Sequence, residues 1–343
     1  MAERMNPEPN NSEFTGEQMS NNQILINEML LELGVHAKGE ATSPDEGLIA
    51  SNYFIDTVEK GQIVIRANQL GDNKGVGFEV KALAFLGKHG APVPTVLRFN
   101  DDSLEKHVEN KRVIAYKPID GDTLGSNELD SCALATEAGS LLRNMIVPAA
   151  LYEPDGTEPD GDVEFIKQIT TEFLDKYPDL ADHSFFKDAV ATLESENYAE
   201  ALSDSPKGIV HADFFYENII KRDDKLVGII DFGDAYYGSI LNDVVIGAME
   251  FSVLEANEEW KPELFEAFLQ PNADWLQKSG IDFDTFQATL LANCLRFAVY
   301  TLGFEREDDS SASADENRYV QRYFKFKEAL SLQLRKSYET VCV

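Results

Sequence analysis

The chain has 343 residues, 43% of them hydrophobic and 10% aromatic, which is enough to bury a sizeable core and long enough for two lobes around a cleft. Its 61 acidic against 30 basic residues leave a net charge of −31, a field that repels nucleic acid and anionic membrane and attracts basic small molecules. Three scattered cysteines, Cys132, Cys294 and Cys342, form no zinc or disulfide pattern and suit a reducing compartment.

Residues 1–20 read as a flexible, polar tail. They hold Glu3, Glu8, Glu13 and Glu17 and have no apolar core for a signal peptide, so a cytoplasmic protein is expected. No run of about 18 apolar residues is present, and no membrane span is expected. Ile26, Met29, Leu30 and Leu33 repeat at helical spacing up to Gly34. From Gly47 the pattern becomes a strand (SNYFIDTV), the turn Glu59-Lys60-Gly61, and a second strand (QIVIRA). Alternation there puts Ile63 and Ile65 on one face and Val64 and Arg66 on the other.

FEVKALAFLGKHG reads as a helix ending at Gly90, APVPTVLRF as extended chain, and KRVIAY as a further strand. The edge of this small mixed sheet falls near Gly121. Helices follow at Asp130 to Asn144, Val163 to Tyr177 and Phe185 to about Leu202. Beyond a hairpin, further helices are expected at Asn242 to Ala256, Pro262 to Ser279, Asp284 to Leu302 and Tyr319 to Tyr338. A charged loop, EREDDSSASADEN, separates the last two.

The hairpin concentrates the chemistry. IVHADFFYENII runs into the turn Asp223-Asp224, and the apolar run Leu226 to Ile230 then delivers Asp231-Phe232-Gly233. Phosphoryl transfer needs positioned phosphates, magnesium and a carboxylate near the attacking hydroxyl. Kinases supply these as H-R-D-x-x-x-x-N followed by D-F-G. His211, Asp213, Asn218 and Asp231 fall in that order and at those offsets.

The stretch resembles the aminoglycoside phosphotransferase and choline kinase superfamily, whose loop reads H-x-D-x-x-x-x-N and whose metal motif reads I-D-x-G. PKGIVHADFFYENII and LVGIIDFGDA look most like the branch holding the type II homoserine kinases and the hydroxylysine kinases. SNYFIDTVEKGQIVIRA resembles that family's nucleotide-positioning hairpin, GKHGAPVPTVL its GxPVPxPl segment, and ANCLRFAVYTLGF its LRF helix. About 290 residues are covered, from near Gly47 onward. DFGD departs from homoserine kinases toward hydroxylysine kinases, which leaves the acceptor open between them.

The resemblance implies an α+β, two-lobed protein-kinase-like fold with a small mixed N-terminal β-sheet lobe and a larger, mainly helical C-terminal lobe. Residues 21–120 would bind nucleotide, and 121–343 would carry the catalytic and metal loops. It implies ATP and magnesium as cofactors, with Asp213 the base and Asn218 and Asp231 the metal ligands. Arg66 would take the place of the phosphate-pairing lysine and Glu79 that of its helix partner. Ser51 and Asn52, read as a first turn, would offer backbone N–H groups to phosphate. Tyr116 to Ile119 would form the connector against adenine.

His211 would hold the catalytic loop, and Asp243 would tie it to the next helix. Asp234, Glu217 and Glu250 are acidic candidates for an acceptor's ammonium group, and Arg296 is a candidate for its carboxylate, or for an internal ion pair. A small-molecule kinase acting on the hydroxyl of an amino acid or amino alcohol follows, with homoserine first. Hydroxylysine, choline, ethanolamine or an aminoglycoside are the other acceptors. A nucleotide-binding pseudokinase that docks a partner is the reading from another class; the oligomeric state and the choice between ATP and GTP are not fixed by sequence.

Overall fold

The structure, a computed structural model, describes residues 16–43, 50–69, 76–159, 161–195, 198, 202, 204–254 and 256–342. In chain order the elements are α1 (Gly16–Glu32), β1 (Ala50–Thr57), β2 (Gly61–Gln69), α2 (Val76–Lys88), β3 (Thr95–Val96), β4 (Glu105–Val108), β5 (Lys111–Lys117) and β6 (Asp122–Thr123). Then come α3 (Cys132–Ala149), α4 (Val163–Lys176), α5 (Ser184–Leu193), β7 (Lys207–Val210), β8 (Ile219–Arg222), β9 (Lys225–Ile229), β10 (Tyr236–Ser239) and α6 (Leu241–Glu250). The chain closes with β11 (Val253–Leu254), β12 (Glu259–Trp260), α7 (Pro262–Leu269), α8 (Ala273–Lys278), α9 (Phe283–Asp308), α10 (Arg318–Phe324) and α11 (Ser331–Cys342). This is an α+β protein with a small sheet lobe and a larger helical one.

The first compact unit comprises residues 1–72 and 96–118. Its sheet runs β1-β2-β5-β3, with β4 also on β5; the β1/β2, β2/β5 and β4/β5 pairs are antiparallel. Ile63, Ile65 and Ala67 point into a core with Tyr53, Ile55 and Val113, and α1 closes it with Leu25, Ile26, Met29, Leu30 and Leu33. That apolar stripe is the one the helical spacing predicts. The helix starts at Gly16, so the expected tail gives way before residue 20. Gly34, at φ 64°, takes the left-handed C-terminal position that a side chain would strain.

Residues 73–95 and 119–343 form the second unit. The cut at Pro118/Ile119 lies beside the expected edge near Gly121, but α2, expected in the first lobe, groups with the larger unit. Helix α9 is its spine, touching α4, α5, α6 and α10. Helices α3 and α7 approach so closely that a Cβ on Gly139 would stand 2.1 Å from the Phe268 carbonyl oxygen.

Several helix limits differ from expectation. Ser131 caps α3, and Met145, Ile146 and Ala149 extend its buried stripe beyond Asn144. Helix α6 stops at Glu250, because Val253–Leu254 pairs with Glu259–Trp260 instead. The helix expected over Pro262 to Ser279 is broken by a 3₁₀ turn at Gln270–Asn272, where Pro271 has no N–H to continue the ladder. Helix α9 runs on to Asp308, into the expected charged loop. The last helix splits at Lys325–Ala329, where Leu330 N–H reaches back five residues to the Lys325 carbonyl at 2.8 Å. Helix α5 ends at Leu193, and part of the stretch from there to Leu202 lies outside the described residues.

Candidate active site

Strand β7 ends in the fully buried Ile209 and Val210 and pairs with β10. The next three residues make a tight turn in which Ala212 has a φ of 71°. An alanine there costs about 1–2 kcal/mol, so its surroundings must hold it. Asp243, in the first turn of α6 and 0% exposed, accepts from the His211 N–H through Oδ2 and the Ala212 N–H through Oδ1, both at 2.8 Å. Burial pushes the Asp243 carboxyl up, while His211 and these two amides pull against that shift.

His211 is also fully buried, its ring edge-on to Phe232 at 4.5 Å. The Asp213 N–H donates to its Nδ1 at 3.2 Å, so the proton sits on Nε2, which donates to the Ile230 carbonyl at 2.9 Å. Both ring nitrogens are therefore engaged by backbone, and the imidazole joins the loop before β8 to the loop after β9.

Asp213 is partly buried, and desolvation by the surrounding protein raises its pKa to about 6. Asn218, at the end of a 3₁₀ turn (Tyr216–Asn218), donates through Nδ2 to the Asp213 carbonyl and to Asp213 Oδ2, both at 2.9 Å. Its side-chain oxygen is the atom it would offer to a cation. The β8/β9 hairpin turns at Asp223 and Asp224, both left-handed, as a two-residue hairpin requires. It sets Asp231 down at a φ of 62°, exposed, accepting from the Gly233 N–H at 3.3 Å.

Arg296, near the middle of α9, is 3% exposed. Its Nη1 donates to the Ala212 carbonyl at 2.5 Å and its Nη2 faces Asp234 Oδ2 at 3.6 Å, so the guanidinium reaches partners inside the protein. Asp234 is half exposed beside it, and Glu217 is exposed. Glu250 is 7% exposed and accepts from Arg322 at 2.9 Å; it serves a buried ion pair and not the acceptor role considered for it.

In the first unit, Arg66 lies on β2 opposite Asn52 of β1 and Ile114 of β5 and is 9% exposed, not a surface arginine. Ser51 and Asn52 are strand residues paired with Ala67 and Arg66, and the turn joining β1 to β2 is residues 58–60. The expectation that they lie in a first turn is corrected accordingly: both are residues within strand β1. Tyr116 is half-buried on β5. In the second unit, Glu79 sits in the first turn of α2 and is 2% exposed, and Ile119 packs on Gly228 of β9.

Sequence reasoning did not single out Ala212 or Tyr300. Nothing in an alanine's identity announces a left-handed φ. Tyr300 lies one turn beyond Arg296, with its ring 5.7 Å from the guanidinium carbon, and the i, i+4 spacing was the available signal.

The chain belongs to the phosphotransferase enzyme family, whose model matches residues 40–279. A homoserine kinase of Pseudomonas aeruginosa is 24% identical over 258 residues, 74% of this chain and 77% of the relative. One from Neisseria meningitidis is 24% identical over 262 residues, 75% and 81% of the two chains. Among solved structures, a choline kinase from Cryptosporidium parvum superposes with a TM-score of 0.63 at 14% identity, covering 93% of this chain and 99% of the other. A spectinomycin phosphotransferase in complex with ADP and spectinomycin gives 0.58 at 14%, covering 92% and 98%. The chain is a small-molecule kinase of the aminoglycoside phosphotransferase and choline kinase superfamily, on its homoserine-kinase-like side.

Proposed function

We propose that the chain transfers the γ-phosphoryl group of ATP, with magnesium, to the hydroxyl of an amino acid or amino alcohol, homoserine being the leading acceptor. The observation that carries this is the Asp213–Asn218 pair, in which an amide N–H₂ fixes the carboxylate at 2.9 Å. Asp213 orients the acceptor hydroxyl and takes its proton. A pKa of about 6 makes it a stronger base than an ordinary carboxylate while leaving it ionised at neutral pH.

The donor set fits magnesium, a hard cation that favours oxygen ligands and is commonly bound through one or two carboxylates plus substrate phosphates. The Asn218 side-chain oxygen and the Asp231 carboxylate would hold it. Bound magnesium would neutralise charge on the phosphates during transfer. Arg66 would pair with phosphate, and the connector Tyr116 to Ile119 would lie against adenine. Asp234 would meet an ammonium group on the acceptor, with Glu217 further out.

Homoserine is preferred because the curated relatives named above are homoserine kinases. Use of ATP is supported by an amicoumacin kinase of similar fold, TM-score 0.58, solved with AMP-PNP and Ca2+. No described helix is long and apolar enough to cross a membrane. The test is ADP release from Mg-ATP across homoserine, hydroxylysine, choline, ethanolamine and aminoglycosides. Homoserine should give the highest kcat/KM, and no release with any of them would refute the proposal.

A further inference from the structure

Arg296 is surrounded along α9 by the fully buried Cys294, Leu295 and Ala298, so its guanidinium gives up most of its hydration. Burial works against the charge, yet Asp234 and the other acidic and phenolic neighbours outweigh it and hold the guanidinium more firmly protonated than usual. The rings of Phe297 and Tyr300 stand 5.2 and 5.7 Å from its central carbon. The fork geometry matters: one arm donates to the Ala212 carbonyl and the other faces Asp234, a division that a single ammonium cannot reproduce.

The Ala212 carbonyl belongs to the peptide unit that joins Ala212 to Asp213. The other end of that unit, the Asp213 N–H, is held by His211 Nδ1. The peptide plane is thus pinned at both ends, directly before the Cα that carries the base. Asp243 fixes the two preceding amides, but it does not touch this carbonyl. Asp234 lies three residues beyond Asp231, so the same guanidinium also links the base loop to the metal loop.

We infer that Arg296 is a positioning residue for phosphoryl transfer, locking the left-handed Ala212 turn so that the Asp213 carboxylate is aimed before an acceptor arrives, and that it does not bind the acceptor's carboxylate. This rests on the proposal that Asp213 is the base. A misplacement of the order of 1 Å can cost about 100-fold in rate.

The test compares wild type with Arg296→Lys and Arg296→Gln, measuring kcat, KM for acceptor and for ATP, and amide hydrogen exchange at His211, Ala212 and Asp213. The expected result is a kcat lower by about 10- to 100-fold with both KM values within about 3-fold of wild type. Exchange at those three amides should quicken while that of Leu290 to Ala292 on α9 stays unchanged. An acceptor KM that rises at constant kcat would make Arg296 a substrate ligand and overturn the inference. So would unchanged kcat and exchange in both variants. If Arg296→Gln does not fold, Arg296→Lys carries the comparison. If wild type transfers phosphoryl to no acceptor, the functional proposal fails separately, and unchanged exchange at the three amides still overturns the lock.

Discussion

Asp243 spends both carboxylate oxygens on consecutive amides, those of His211 and Ala212, each at 2.8 Å. It does so from the first turn of α6, where a helix N-terminus favours negative charge. The Ala212 turn is therefore anchored to helix α6, through a carboxylate with no exposure to water.

Asp243→Asn should lose one of these bonds and set an amide N–H₂ against a backbone donor. A buried donor left unsatisfied costs about 1–3 kcal/mol, so urea unfolding should show a loss of that size, together with reduced kcat. Stability unchanged from wild type would show that the clamp does not hold the turn.

The raised pKa of Asp213 has consequences for activity and for stability. As the proposed base it must be ionised, so kcat/KM should fall about tenfold per unit below a midpoint near pH 6. For folding the sign is opposite. The native state binds the proton more tightly than the unfolded chain, so this group's contribution to stability is full below the ordinary value of 3.8 and is lost as pH rises through about 6. Asp213→Asn should therefore be at least as stable as wild type at pH 8 by thermal melting, while losing turnover by about 10²- to 10⁴-fold. A less stable variant at pH 8 would contradict this assignment of cost.

Asp231→Ala should raise the magnesium concentration needed for half-maximal turnover by at least about tenfold, since one of two protein oxygen donors is gone. Chelation by EDTA should abolish ADP formation, and added magnesium should restore it. Full turnover in EDTA would remove the metal from the account.

The candidate site was legible because it is local. His211, Asp213, Asn218 and Asp231 lie within 21 residues, on a loop, a hairpin and a loop whose turn residues Asp223 and Asp224 announce themselves. Strand alternation at Ile63 and Ile65 and helical spacing at Ile26 and Met29 marked individual elements, whereas the two-lobed arrangement came from the family resemblance. What stayed hidden depends on tertiary packing. The resemblance implied that Asp243 ties this loop to the next helix, but nothing in the sequence reveals that Arg296 reaches the Ala212 carbonyl from a separate helix. Likewise, Ser51 and Asn52 carry no mark of their cross-strand partners. The break at Pro271 was readable from proline itself, but the buried Leu269 and Leu276 on either side, seven residues apart, kept the helical spacing intact across it.

The central claim is that Asp213 serves transfer from ATP to an alcohol. The most direct measurement follows the γ-phosphoryl group from Mg-ATP into the acceptor by ³¹P NMR, for wild type and Asp213→Asn with homoserine. A phosphomonoester signal should grow with wild type and be absent over the same time with the variant, even though the variant still binds ATP. Equal product from both proteins would contradict the account.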